Sequence, residues 1–345
     1  MKIWIDLLTP KQLLFFESMI NRLRKHNKIL CTSRNYREVK KLAEIRKMKL
    51  KFVGKHGGAD KFDKLHASIK RLSLLSKIIE NFDPDITISF CSPEATRISY
   101  GLGIKHIAFS DSPHAKAVMT LSIPFIEKLL KPWIIPNREF TKYGITKKNI
   151  LSYKAIDAAL IVKHKPKTNC RINFSLKDAK TILIRTDESD AAYFSQKNNG
   201  LIPIIDKILC EFKEYNVIVL CRYNSQIREL KKKFGRKVVL DKVIDGEVLL
   251  NQTDFFVGGG GTMTAQAALM GIPTISYNSV PNHIERYLVR KKLVKRETNP
   301  RKIVVHIRKK LNEKDIESKK RARQILNSME DPFPKLVKVI KSITK

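Results

Sequence analysis

Acidic residues are scarce in this chain: 33 Asp and Glu stand against 68 Lys and Arg in 345 residues, leaving a formal charge of +35. Something anionic is therefore expected nearby, whether an anionic membrane face, a phosphorylated small molecule or nucleic acid. The basic residues are spread along the chain and thicken after Arg286, as in 290–296 and 317–323. Spread lysine on amphipathic helices reads as a solvated face, so nucleic acid is the partner least expected. Long apolar runs are also missing. None approaches the ~18 residues needed to span a bilayer, and the first residues lack the pattern of a signal peptide, so a cytoplasmic protein is expected, with visits to the inner membrane face. Cysteine is sparse, five residues with no C-x-x-C pairing; Cys31 and Cys221 fall in apolar strand-like runs, and the cysteines read as core thiols rather than ligands or bridges. The eight histidines never take ligand spacing, so a metal site is not indicated; no cofactor is expected either.

What is present is a repeated alternation of strand-like and helix-like segments, the pattern of an α/β fold with parallel sheets. In the first series, strands are expected at 2–7, 28–33, 50–54, 85–90 and 105–110, with weaker ones at 133–136 and 158–162. Helices fall between them, as at 10–26, 36–47, 61–81 and 94–100. The polar stretch 163–180 contains Pro166 and reads as a linker. A second series places strands at 181–185, 216–221, 237–240, 254–257 and 273–277. The expected organisation is an N-terminal Rossmann-like acceptor-side domain (1–165), a linker (166–180), a C-terminal Rossmann-like nucleotide-sugar-binding domain (181–312) and basic C-terminal helices (313–345) that pack back toward the first domain. Two such domains would face each other across a cleft, where ligands of open α/β sheets bind.

The most informative stretch is 255–277, FFVGGGGTMTAQAALMGIPTISY. A buried strand runs into Gly258, Gly259, Gly260 and Gly261, which let the backbone approach a ligand in conformations a Cβ would forbid. Thr262 or Thr264 is expected to cap the following helix, whose N-terminus would seat an anion. A tight βα turn with nothing bound is the alternative.

From 243 to 295 this order of features resembles the nucleotide-sugar half of GT-B enzymes, the MurG-type N-acetylglucosaminyltransferases and the non-hydrolysing UDP-N-acetylglucosamine 2-epimerases. VIDGEVLLNQTDFFV (243–257) looks like the loop and helix that hold the uracil ring, which assigns Val243 and Ile244 to the nucleoside. GGGGT (258–262) resembles the pyrophosphate turn, and NHIERYLVRKKLV (282–294) the helix closing the pocket, which gives Asn282 and His283 a sugar or phosphate role. WIDLLTP at the first strand and FSDSPHAK (109–116) are similar to the DUF354 proteins. The family's ribose-binding glutamate has Gln266 at its matching position, an amide that accepts from a hydroxyl without the help of charge. The epimerases use a histidine after the first strand of the second domain; 184–190 reads IRTDESD.

Several side chains at strand ends suit chemistry. Asp6, ending the first strand, and Glu94 are candidate general bases, or else a cap and a first-turn residue. Asp111 and His114 form the best acid–base pair by spacing; the alternative has Asp111 capping the next helix. Arg185 would pair with a diphosphate, or else with Asp187 or Glu188, and Arg222 has a weaker claim to the same role. The run 122–135 is either an apolar patch for a lipid-linked acceptor or buried core. The function expected is metal-independent transfer of a sugar from a UDP-sugar donor. The alternatives are a UDP-sugar epimerase and a non-catalytic basic module binding nucleic acid or membrane.

Overall fold

The computed structural model describes all residues except 59, 165–177, 187–199, 236–237, 242, 278–281, 314 and 345. Most of the expected linker thus lies outside the described residues. The chain divides into two compact units, Met1–Leu160 with Met329–Lys345, and Ile161–Ser328. The helix Ile316–Asn327 belongs to the second unit and the final helix, Phe333–Ile343, to the first.

The first unit is built on seven strands, β1 (Lys2–Asp6), β2 (Lys28–Asn35), β3 (Lys51–Lys55), β4 (Ile86–Ser89), β5 (Lys105–Phe109), β6 (Lys128–Pro132) and β7 (Ile150–Tyr153). All pair in parallel, in the order β3-β2-β1-β4-β5-β6-β7. Strand order reverses between β1 and β4, so Asp6 and Ser89, register partners there, sit at the topological switch point. Parallel strands covered by helices on both faces need near-continuous apolar sequence, and Ile3, Trp4 and Ile5 are fully buried. Thr9 and Pro10 start the helix Pro10–Leu23 at the carboxyl end of β1. Its Phe15 and Phe16 pack edge to face with Phe109 at 5.3 and 5.4 Å, geometry worth about 0.5–1.5 kcal/mol per pair beyond the area buried.

The second unit holds β8 (Thr181–Arg185), β9 (Asn216–Leu220), β10 (Val239–Leu240), β11 (Phe255–Gly258), β12 (Thr274–Ser276) and β13 (Lys295–Arg296). These are also parallel, in the order β10-β9-β8-β11-β12-β13, with the reversal between β8 and β11. Arg185, Gly258, Ser276 and Arg296 are successive register partners. They form one row across the carboxyl edge of this sheet.

Two expected strands are corrected. The sixth strand is Lys128–Pro132, not 133–136, because the Lys131 ammonium donates to Ser152 Oγ at 2.9 Å and to the Ile135 carbonyl, so a buried lysine is satisfied within the sheet. Residues 158–162 lie in the helix Asp157–Lys163, and the edge strand is Ile150–Tyr153. In the run 122–135, Ile123, Leu129, Leu130 and Ile135 are buried and Phe125 is exposed, so most of this stretch is core. Among the described residues no helix is long and apolar enough to cross a membrane.

Candidate nucleotide site and acid–base groups

The glycine turn lies at the switch point of the second sheet, directly beside Arg185. A Cβ on Gly258 would sit 2.6 Å from both Phe256 Cε1 and Thr264 Oγ1, which explains why only glycine fits. Gly260 and Gly261 have φ of 88° and 83°, left-handed values that a side chain rarely adopts. Gly261 itself is the N-cap of the helix Thr262–Leu269, and no side chain caps it. The expected threonine caps are therefore corrected: Thr262 is already helical, and Thr264 Oγ1 turns back to donate to the Gly260 carbonyl at 2.9 Å. The amides of the first turn point out past the glycines with the positive end of the helix behind them.

Around this turn, Arg185 Nη1 donates to the Cys221 carbonyl at 2.9 Å, and Tyr277 Oη donates to the Arg185 carbonyl at 3.1 Å. Both contacts fix the arginine to the sheet edge. Arg222, half-buried, follows β9; its amide donates to Gln226 Oε1 at 3.0 Å. Val243 and Ile244 are half-buried just ahead of Asp245, which caps the helix Gly246–Leu250. Gln266 is buried on the helix behind the glycines. Asn282 caps the helix His283–Arg290, accepting from the Glu285 amide at 2.8 Å, and His283 is the first residue of that helix. Asp187 and Glu188, the rival partners for Arg185, lie outside the described residues.

One residue here was invisible in the sequence. Gln226 is fully buried, and its Oε1 accepts from Thr186 Oγ1 at 2.8 Å and from the amides of Arg222 and Tyr223 at 3.0 and 3.2 Å. It ties the loops after β8 and β9 together. Gln226→Ala is expected to lower stability by about 1–3 kcal/mol, because buried donors lose their acceptor; the shift of the urea midpoint measures it.

In the first unit the structure rearranges the expected pairs. Asp6 is fully buried, and its carboxylate accepts from Arg71 Nη2 and Thr32 Oγ1 at 2.6 Å and from Ser92 Oγ at 2.7 Å. Burial would raise its pKa, but the Arg71 guanidinium and these hydrogen bonds outweigh that and hold it below the usual carboxylate range. Glu94 lies 3.6 Å from Arg71 and accepts from Ser68 Oγ at 3.1 Å. Asp6 is thus neither a cap nor an accessible base, but the centre of a buried ion-pair network.

Asp111 and His114 do not pair. His114 is exposed, and among the described residues no hydrogen bond joins them. Nor does Asp111 cap a helix, since the helix Lys116–Ser122 starts from Ala115 without a side-chain cap. Asp111 Oδ2 is instead paired with Lys11 Nζ, and Oδ1 accepts from Ser112 Oγ at 2.8 Å. Lys11 Nζ also lies 2.8 Å from Asp157 Oδ2, and Tyr153 Oη donates to Asp157 Oδ1 at 2.6 Å. The carboxyl ends of β5 and β7 and the start of the helix after β1 converge on this cluster. The Asp111 side chain keeps 9% of its surface and that of Lys11 20%, so the cluster is reachable from solvent where Asp6 is not.

The model of one family, described as "Protein of unknown function (DUF354)", matches residues 1–345. The chain belongs to the DUF354 family. This DUF354 chain is 29% identical over 298 residues to the Uncharacterized protein MJ0665 of Methanocaldococcus jannaschii, covering 84% of this chain and 85% of that one. Among solved structures it is similar to the UDP-GlcNAc 2-epimerase of the same organism, with TM-score 0.69 and 15% identity over 99% of this chain and 100% of that one. It is also similar to the Staphylococcus (S.) aureus MnaA–UDP co-structure, with TM-score 0.69 and 13% identity over 96% and 92% of the two chains. The spinosyn rhamnosyltransferase SpnG complexed with thymidine diphosphate gives TM-score 0.62 and 11% identity over 99% of each. At such identities the likeness establishes the fold, which is GT-B-like with two Rossmann-type parallel sheets.

Proposed function

We propose that this DUF354 protein binds a UDP-type nucleotide sugar at the carboxyl edge of its second sheet and transfers the sugar to an acceptor hydroxyl. The observation that carries this is the row Arg185–Gly258–Ser276, with the glycine turn and an uncapped helix start at its centre. A diphosphate seated there would meet the first-turn amides and the Arg185 guanidinium, which stabilise the charge that develops on departing UDP without a metal. Gln266 would meet the ribose, Val243 and Ile244 the base, Arg222 the phosphates, and Asn282 and His283 the sugar. In the first unit, Asp111 is the group we assign as base. The acceptor O–H bond breaks as its proton passes to Asp111, the oxygen bonds to the anomeric carbon, and the bond to the diphosphate breaks with its electron pair leaving on UDP. Release of UDP from UDP-sugars in the presence of candidate acceptors, unchanged by EDTA, is the expected result. Release that depends on a divalent cation would contradict it.

A second reading, UDP-sugar epimerisation, draws on the higher TM-score to the epimerase than to the rhamnosyltransferase, 0.69 against 0.62. Against it, 184–190 contains no histidine. It predicts a C2 epimer from UDP-N-acetylglucosamine alone, visible by NMR without any acceptor.

A further inference from the structure

We infer that Asp157 is a positioning residue for Asp111: the two carboxyls hold one proton between them beside Lys11, and the charge on Asp157 sets how strongly Asp111 takes a proton from substrate. This rests on the assignment of Asp111 as the base, and it adds a residue that no sequence pattern indicated.

The geometry is that of two carboxyls and one ammonium gathered in a nearly solvent-free site. Lys11 Nζ contacts Asp111 Oδ2 and lies 2.8 Å from Asp157 Oδ2, so one ammonium bridges the two carboxyls. With all three groups ionised the cluster carries one uncompensated negative charge in a low-dielectric pocket, which is costly. One shared proton removes it, as in carboxylate dyads that titrate as a pair.

The surroundings decide where that proton rests. The Asp157 side chain is the more enclosed, at 2% exposure against 9% for Asp111. Burial and the Asp111 charge push Asp157 up to about 7. Burial also acts on Asp111, but Lys11, the neighbouring Asp157 carboxyl and the hydrogen bond from Ser112 hold it below its ordinary value. The titratable groups facing the pair are Lys11 from the helix after β1, Tyr153 at the end of β7, and Cys91 near Asp111. Tyr153 is raised well above its ordinary range by burial, and Cys91 is pushed up to about 12 by the same cause, so neither ionises near neutrality. Lys11 stays charged, because its two carboxylates outweigh burial. Asp157 is therefore the group that changes charge near pH 7. Below that pH it donates to Asp111 and weakens it as a base; above it, a second negative charge strengthens Asp111.

The test is a pH titration of the full chain carrying carboxyl-¹³C aspartate, followed by NMR. One carboxyl is expected to titrate near pH 7 in the wild type, to vanish in Asp157→Asn, and to move to higher pH in Tyr153→Phe, which removes a donor to the charged form. The Tyr153→Phe arm decides the matter should Asp157→Asn fail to fold. Wild-type carboxyls that all titrate below about pH 5, or a neutral transition that survives in Asp157→Asn, would overturn the inference. In turnover, the wild-type rate is expected to rise through pH 7 and the Asp157→Asn rate to lose that rise; a uniform drop with the pH profile unchanged would mean a merely structural role. UDP binding by calorimetry is read separately. Its absence with the NMR transition intact would sink the nucleotide-sugar reading and leave the shared proton standing.

Discussion

Arg71→Met is expected to lower the stability of the protein by about 3–5 kcal/mol at neutral pH, the cost of stranding a buried carboxylate whose partner is gone. Asp6 and Arg71 are both almost wholly inside, with side-chain exposures of 0% and 1%. Thr32 and Ser92 would still donate to Asp6, but two hydroxyls do not replace a bidentate guanidinium. The pH dependence has a definite sign. In the wild type the folded Asp6 lies below its unfolded value, so its contribution is present above the unfolded range near pH 4 and is lost as pH falls. In Arg71→Met, burial is opposed only by the Thr32 and Ser92 hydrogen bonds and raises Asp6, so its contribution is present at low pH and lost as pH rises. The deficit should therefore shrink on acidification, which paired urea denaturations at pH 7 and pH 5 would show; an equal deficit at both values would refute the account of this network.

Gly261→Val is expected to weaken UDP binding by more than about tenfold, or about 1.4 kcal/mol, while the chain stays folded. The position has φ of 83°, and a Cβ there would enter open space rather than meet protein atoms. Its penalty is backbone strain of about 1–3 kcal/mol, relieved by reshaping the turn that presents the helix amides. Gly258→Ala is the contrasting control. Its Cβ meets Phe256 and Thr264 at 2.6 Å, so it should damage folding as well as binding. Calorimetry with UDP and a thermal melt on each variant separate the two effects.

The two parallel sheets were legible because strands buried on both faces spell out apolar runs, as in ITIS of β4 and TILIR of β8. The same signal misled at 158–162. A short helix buried all round has no polar face to reveal its period, so ALIV reads equally as strand. β13 escaped because it is two exposed basic residues, Lys295 and Arg296, recruited to the edge by β12 alone. The glycine turn could be placed from sequence, but not its cap, since a glycine at the N-cap leaves no side-chain signature.

The acid–base groups were the least legible part. Local spacing pairs Asp111 with the nearby His114, whereas the structure sets it against Lys11, 100 positions earlier, which also holds Asp157, 46 positions later. Lysine and arginine in an amphipathic helix read as solvated. Lys11 and Arg71 are exceptions only because the fold brings carboxylates from distant strand ends onto them, and no local spacing records that.

Isothermal titration of UDP into the full chain tests the central claim most directly. Saturable binding to a single site, lost in Gly261→Val, is the predicted result; no heat of binding at millimolar UDP would contradict it.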